Sequence, residues 1–331
     1  MIAAAELKPG MAMRSARATI ALAWITAVAS LLPGSACAAE LAPRTIEAFD
    51  HYVRLSEARM EEELRRGEPY FYVDAFPDAR WQSSYAQLRQ GRILIERRET
   101  EEGGRPVWVP EGLVHHWVGI VFIPGATLRQ ALAVVQDYDN HWKIYAPDIR
   151  RSKLIRHEGD DFRIYVQFFK KSLHTVVLNA EFAVRYFPLD STRVYSRSHS
   201  IRIAEVENPD RPDEHENPVG KGRGYLWRLH SYWRFQQKDG GVYVQVEYIA
   251  LSRSVPAGFG WLLNPLIRRI SGESLYRLLD ATRAAVRPPA GPERKTMERE
   301  GSVGRGEKAS EFISHCDIVQ RVESGAYFRW M

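Results

Sequence analysis

The feature that most constrains this chain is a change of hydrophobic period between Trp227 and Val286. Two runs that alternate apolar and polar residues, Trp227–Phe235 and Val242–Leu251, flank Lys238-Asp239-Gly240-Gly241. Successive side chains of a strand point to opposite faces, and Asp-Gly supplies the positive φ that a tight hairpin turn needs. That turn sets a register with Phe235 opposite Val244, Trp233 opposite Val246 and Ser231 opposite Tyr248. Together with Trp227, Leu229 and Ala250 these residues make an almost wholly apolar face. The other face carries Arg228, His230, Tyr232, Arg234, Gln245 and Glu247, and is expected to be solvated.

After Pro256 the apolar spacing becomes helical. Phe259, Leu262, Leu263, Leu266, Ile267 and Ile270 form one stripe, and Leu275, Leu278, Leu279, Thr282 and Val286 a second. Ser271-Gly272 is expected to separate two helices, with Ser271 capping the last. A long amphipathic helix that follows a hairpin directly can bury its stripe only on the hairpin's apolar face.

Upstream, Val114–Ile123 reads as a strand ended by Pro124-Gly125. Thr127 caps a helix with Leu128, Ala131, Leu132 and Val135 on one stripe. A second short helix starts at Asp139 or Asn140 and stops before Pro147. Ser152–His157, Phe162–Lys170, His174–Phe187 and Val194–Val206 follow as strands, with Phe182 on the continuous apolar face of the third. The Pro-rich, charged stretch Glu207–Gly224 is expected to be an insertion or a lip over an opening. Before all of these, residues 43–66 spell a helix stopped by Gly67, on which Glu61-Glu62-Glu63 and Arg65-Arg66 read as a solvated face. A short helical turn at Tyr85–Gln90, a strand at Arg92–Arg97 and a return strand at Val107–Val109 complete an N-terminal extension, residues 40–112.

The order helix, strands, Trp-rich hairpin and long C-terminal helix resembles the START-related helix-grip superfamily, with its coenzyme Q-binding and polyketide-cyclase-like branches. The resemblance spans about Val114 to Arg287. Its marks are the run Val118-Gly119-Ile120-Val121-Phe122-Ile123-Pro124-Gly125-Ala126-Thr127, then Asp137-Tyr138-Asp139, Tyr145-Ala146-Pro147-Asp148-Ile149 and Tyr232-Trp233-Arg234-Phe235. It implies an α+β helix-grip (START-like) fold, a curved antiparallel sheet wrapped around the last helix, with a domain over residues 113–287. It also implies a cavity between sheet and helix for a hydrophobic ligand, and it brings no universal catalytic motif.

The ends of the chain read differently. Arg14 and Arg17 precede the apolar run Thr19–Leu32, and Ala36-Cys37-Ala38 offers a small-x-small cleavage site. This is the pattern of a secretory signal over residues 1–39, which places the mature protein in the periplasm or outside the cell. Removing residues 1–38 would leave a net charge of +3 and Cys316 as the sole cysteine, so no intramolecular disulfide is expected. That slight excess, without basic runs interleaved with aromatics, argues against nucleic-acid binding. Residues 288–331 lack periodicity and read as a disordered tail.

Reactive constellations are sparse. His115-His116 are strand neighbours that point to opposite faces and cannot share a metal. Asp137 and Asp139 fall at a helix end, where Asp commonly terminates and caps. Gly220-Lys221-Gly222-Arg223-Gly224 lacks the strand-before, helix-after context of a phosphate loop. No catalytic residue, metal or cofactor is therefore assigned. The candidate ligand-binding residues are Tyr138, Trp142, Tyr145, Phe182, Ser231, Trp233, Tyr248, Trp261, Leu262, Leu266 and Leu278. The expected function is to hold a lipid, isoprenoid or quinone, as a carrier or sensor, with transient membrane contact among its interactions. A polyketide cyclase or aromatase working in the same cavity is the alternative.

Overall fold

The computed structural model describes residues 39–171, 175–254 and 260–286, the last of these with side chains from Ser271 onward. Residues 1–38 of the expected signal and the expected tail, 288–331, lie outside the described residues. In chain order the main elements are α1 (Pro43–Arg66), α2 (Asp78–Arg89), β1 (Leu94–Arg97), β2 (Gly112–Pro124), α3 (Leu128–Val135), α4 (His141–Ile144), β3 (Ile149–Glu158), β4 (Asp161–Lys171), β5 (Thr175–Pro188), β6 (Arg193–Glu207), β7 (Arg228–Lys238), β8 (Gly241–Arg253) and α5 (Gly260–Val286). The strands form one antiparallel sheet in the order β1-β2-β8-β7-β6-β5-β4-β3. Its inner face curls around α5, which makes the fold a helix grip.

The hairpin register is the one that the turn dictates: Phe235 pairs with Val244, Trp233 with Val246 and Ser231 with Tyr248. Asp239 and Gly240 both take positive φ, as the two-residue turn requires. Thr127 caps α3 in a reciprocal capping box with Gln130. Gly67 ends α1 in the left-handed conformation. Beyond the last strand, α5 runs unbroken through Ser271 and Gly272, contrary to the expected division. The propensity cost of that glycine, about 1 kcal/mol, is offset by packing on either side. Gly272 lies against the Trp117 indole, and Leu275 and Leu279 are buried one and two turns on. Leu279 can come so close because position 119 of β2 is glycine, where a Cβ would sit 2.8 Å from the Leu279 side chain.

The larger correction concerns the outer face of the hairpin. Tyr232, Arg234, Gln245 and Glu247 are 1%, 2%, 1% and 2% exposed, where solvation is expected. α1 lies across them and buries Phe49, Tyr52, Val53 and Met60 against Tyr195, Trp227, Ile249 and Leu251. Trp227 itself precedes the strand and joins this outer cluster rather than the inner face. The turn Tyr72–Ala75 and α2 extend the cover, packing Tyr70, Phe71, Val73, Tyr85 and Leu88 on Val118, Ile120, Phe122 and Tyr243. Full burial of such side chains stabilises by about 1.5–3 kcal/mol each as an upper estimate, so the extension is a second core.

Smaller differences follow from the same packing. The expected turn at Tyr85–Gln90 is the end of α2, drawn out to twelve residues by its seat on β2 and Tyr243. Instead of a return strand at Val107–Val109, Glu101–Glu102 pairs with Arg105–Pro106 across Gly103-Gly104. The stretch Glu207–Gly224 is laced down rather than loose. His215–Glu216 extends β6, Lys221–Gly222 pairs with Ala39–Glu40, and the Glu205 carboxylate accepts from the backbone N–H groups of Arg223 and Tyr225. At the far edge, β3 carries Arg150, Arg151, Lys153 and Arg156, and its pairing with β4 shifts register twice.

Candidate functional site

Every second residue of the central strands faces α5, and on β6 and β7 those residues are small or large in an uneven pattern. β6 contributes Ser196, Ser198 and Ser200, whereas β7 contributes Leu229, Ser231, Trp233 and Phe235. Ser198 Oγ and Ser231 Oγ lie 2.8 Å apart and hydrogen-bond each other. Ser200 Oγ accepts from the Leu229 N–H at 3.1 Å. The serines thus form a floor of short, mutually satisfied hydroxyls, and taller apolar side chains surround it. Leu229, Ser231, Trp233, Tyr248, Trp117, Phe168 and Leu278 remain half-buried although they belong to, or flank, the main core.

Four tyrosines bring polar tips to this side. Tyr248 donates its hydroxyl to the Ser271 carbonyl at 3.0 Å, tying β8 to α5. Tyr138 and Tyr186 share a hydrogen bond of 2.9 Å, and Tyr145 meets Thr282 Oγ1 at 3.2 Å. Burial raises the pKa of each: Tyr145 is pushed up to about 12, and Tyr138, Tyr186 and Tyr248 rise well above the ordinary phenol value. All four are neutral hydroxyls at any physiological pH. His115 faces α5 as well, with Nε2 2.8 Å from Ser252 Oγ and Nδ1 3.3 Å from Ser271 Oγ. Burial, aided by the Arg97 charge, lowers its pKa to about 4 and keeps the ring neutral. Charge reaches this side at the end of β4, where Lys170 lies 3.9 Å from Asp148 and Arg277 donates to that carboxylate at 2.9 Å.

The sequence candidates divide into four groups. Ser231, Trp233, Tyr248 and Leu278 come together as half-buried groups between sheet and helix. Tyr138, Tyr145 and Phe182 are fully buried in the same cluster, so they form its packed end. Trp142 does not join them. It is 45% exposed on α4, with the Lys143 ammonium 5.1 Å from its ring, because the short helix turns this residue away from the core. Trp261, Leu262 and Leu266 lie on α5 where side chains are not described. Sequence reasoning missed Ser198 and Trp117, which complete the surroundings of Ser231 and Gly272. The alternation of small hydroxyls in Ser196-Arg197-Ser198-His199-Ser200 was the available signal.

The adjacent histidine is occupied on the other side of the sheet. Thr100 N–H donates to the Tyr52 hydroxyl at 2.9 Å, which donates to His116 Nδ1 at 2.9 Å. His116 Nε2–H then donates to Glu247 at 2.7 Å, and Arg59 bonds the same carboxylate. The tautomer is assigned from this network. Burial drives the Glu247 pKa up, but the hydrogen bond from His116 and the Arg59 charge outweigh it and hold the carboxyl at about 2. Arg59 also bonds Glu63 at 2.7 Å, and Glu63 bonds the buried Arg234 at 2.7 Å. Glu63 is therefore a structural partner rather than part of a solvated face.

No family model matches the sequence, and no curated protein matches it. Solved structures do. A STAR-related lipid transfer protein fragment from Xanthomonas axonopodis is similar over 58% of this chain and 99% of its own, at 17% identity and a TM-score of 0.39. Human STARD10 is similar over 63% of this chain and 80% of its own, at 10% identity and a TM-score of 0.37. A Streptomyces aromatase/cyclase covers 53% of this chain and 94% of its own, at 11% identity and a TM-score of 0.32. These values confine the likeness to the outline of sheet and helix.

Proposed function

We propose that this chain is an exported, START-like binding protein that holds a hydrophobic small molecule between the inner sheet face and α5, as a carrier or sensor. One observation carries the reading. On the apolar side of the hairpin Phe235, Val244 and Val246 are dry, but Leu229, Ser231, Trp233 and Tyr248 remain half-buried, although water should be excluded from apolar side chains first. Apolar walls with a few convergent hydroxyls are the usual composition of a small-molecule site. The neutral Ser231, Ser198 and Tyr248 groups suit a lipid, isoprenoid or quinone, whose polar atoms are few and uncharged. A cyclase would need a free acid or base on this face. His115 is an imidazole on this face, 2.8 Å from Ser252 Oγ with its pKa lowered to about 4 by burial, so a cyclase in the same space stays the alternative, and the carrier reading is preferred on the apolar walls.

Ser231→Phe tests the proposal. In a filled core the added ring would overpack, at about 1–3 kcal/mol. In a ligand space it occupies room already open, so stability should change little while uptake of a fluorescent lipid is lost. Strong destabilisation, together with no lipid bound by the parent protein, would remove the carrier reading. Export rests on Arg14, Arg17 and the Ala36-x-Ala38 site, with the mature chain beginning at Ala39 or Glu40. N-terminal sequencing of protein taken from its own cells checks this, and a retained Met1 or Met13 would overturn it.

A further inference from the structure

A groove of about 580 Å³ opens on the outer sheet face, beside α1 and opposite the face that packs on α5. Cross-strand pairing builds its floor. Arg163, Ala183, His199 and His230 stand in one row across β4, β5, β6 and β7. Asp161, Arg185 and Arg197 stand in the next. Ala183 is the short residue between arginines and imidazoles, and its missing bulk makes the hollow.

Two features of these rows work against the folded state. Arg185 is directly opposite Arg197, so two guanidinium groups face each other on neighbouring strands, and the His199 imidazole lies opposite that of His230. Like charges so placed are destabilising in a sheet. Furthermore, Arg197, His199 and His230 make no hydrogen bond to a described residue, and His230 Nδ1 is buried without a partner. Arg197 has only long ion pairs, 3.7 Å to Glu57 and 3.6 Å to Glu61. By contrast, Arg163 and Arg185 are committed to Glu181 and Asp161 at 2.7 and 2.6 Å. The uncommitted donors are therefore gathered on one wall. Burial and the neighbouring His199 lower the His230 pKa to about 4, so the ring can donate or accept without a charge of its own.

We infer that this groove binds a phosphate monoester group, with Arg197 and His199 as its principal donors and His230 and Arg185 beside them. A phosphate carries about −1.5 to −2 charge at neutral pH and three acceptor oxygens. It can therefore be approached from two strands at once, which a planar carboxylate held by one guanidinium cannot. The bound group would offset the like-charge pair of Arg185 and Arg197. Its source is either a soluble phosphorylated metabolite or the headgroup of an anionic lipid, and the site is independent of the cargo cavity on the other face.

The test uses the full chain, calorimetry with inorganic phosphate and glycerol phosphate, and flotation on phosphatidylcholine vesicles with and without phosphatidic acid. Saturable binding is expected to weaken at least about tenfold in Arg197→Gln, the worth of one charge-assisted bond. It should weaken in His199→Gln and be unchanged in Arg129→Gln, which lies on α3. Arg197→Lys, which keeps the charge and loses the guanidinium fork, should fall between parent and Gln variant. Melting temperatures near that of the parent establish that the variants fold. Binding of glycerol phosphate names a soluble metabolite, whereas flotation dependent on both phosphatidic acid and Arg197 names a headgroup. Absence of saturable binding to every probe overturns the site, as does equal affinity in the parent and Arg197→Gln. Ser231→Phe should leave phosphate binding intact, which separates this inference from the fate of the cargo reading.

Discussion

The two faces of the β7–β8 hairpin reverse what their composition suggests. The inner face is apolar yet half-buried around Leu229, Ser231, Trp233 and Tyr248, while the outer face carries Arg234, Gln245 and Glu247 and is nearly dry there. The difference lies in what each face meets. On the outside, α1 brings Arg59 and Glu63 in the complementary order, so each charge enters the core with a partner already in place. Burying ions is costly unless they are paired and hydrogen-bonded, and here every member of the chain from Thr100 to Arg59 has its bond. On the inside, Gly119 and Gly272 let α5 come close to β2, and short serines on β6 leave the wall uneven. A polar pattern therefore marks a solvated surface only when no complementary element follows or precedes it in the chain.

The sharpest way to break this contrast is to unbalance the outer face. Glu247→Ala leaves Arg59 without its buried partner and His116 Nε2–H without an acceptor. A loss of about 3–5 kcal/mol is expected in urea denaturation, and a change under about 1 kcal/mol would mean that water reaches the pair. Acid should reproduce part of that loss. Glu247 titrates at about 2 in the folded chain and near the ordinary carboxylate value when unfolded. Its contribution, about 3 kcal/mol on the usual conversion, is thus complete above about pH 4.5 and disappears as pH falls towards 2. His116, whose pKa burial lowers despite Glu247, adds to the loss once pH drops below about 6.5. Stability measured across this range should fall towards acid in the parent and less steeply in Glu247→Gln. Parallel profiles would assign the acid sensitivity elsewhere.

The inner face should respond more gently, and unevenly. Gly119→Val places a Cβ 2.8 Å from Leu279 at a close contact with α5, and overpacking of about 1–3 kcal/mol is expected there. A neutral result would show that α5 shifts freely on its seat. The smallest effect belongs to Tyr248→Phe, which removes a single neutral hydrogen bond to Ser271 worth about 0.5–1.5 kcal/mol. If the variant also loses lipid uptake while keeping its melting temperature, the hydroxyl orients cargo as well as α5.

Most of the inner architecture could be read from local pattern. The hairpin register, the Thr127 cap and the Gly67 stop follow from turn and capping chemistry acting over a few residues. What escaped depends on partners distant in sequence. Arg234 and Glu63 are 171 positions apart, and nothing in either neighbourhood announces the other. The same holds for Gly272, which reads as a helix break until the Trp117 indole is laid against it. Within the site, Ser231 and Tyr248 were legible because strand alternation assigns a face, whereas Trp142 was misplaced because a helix of four residues has no period to read.

The strand at the open end of the sheet has a consequence for coexistence with other copies. An unpaired strand is a template on which a second chain can add itself, the first step towards aggregates. β3 presents Arg150, Arg151, Lys153 and Arg156 along that margin and is kinked at two places. With Arg150 paired to Asp210 and Arg156 to Glu158, an identical strand approaching it would meet the positive charges of Arg151 and Lys153 with its own, and a ladder that does not run straight. Crowded copies are thus discouraged from joining sheet to sheet at this margin, whatever the inner face of each of them holds.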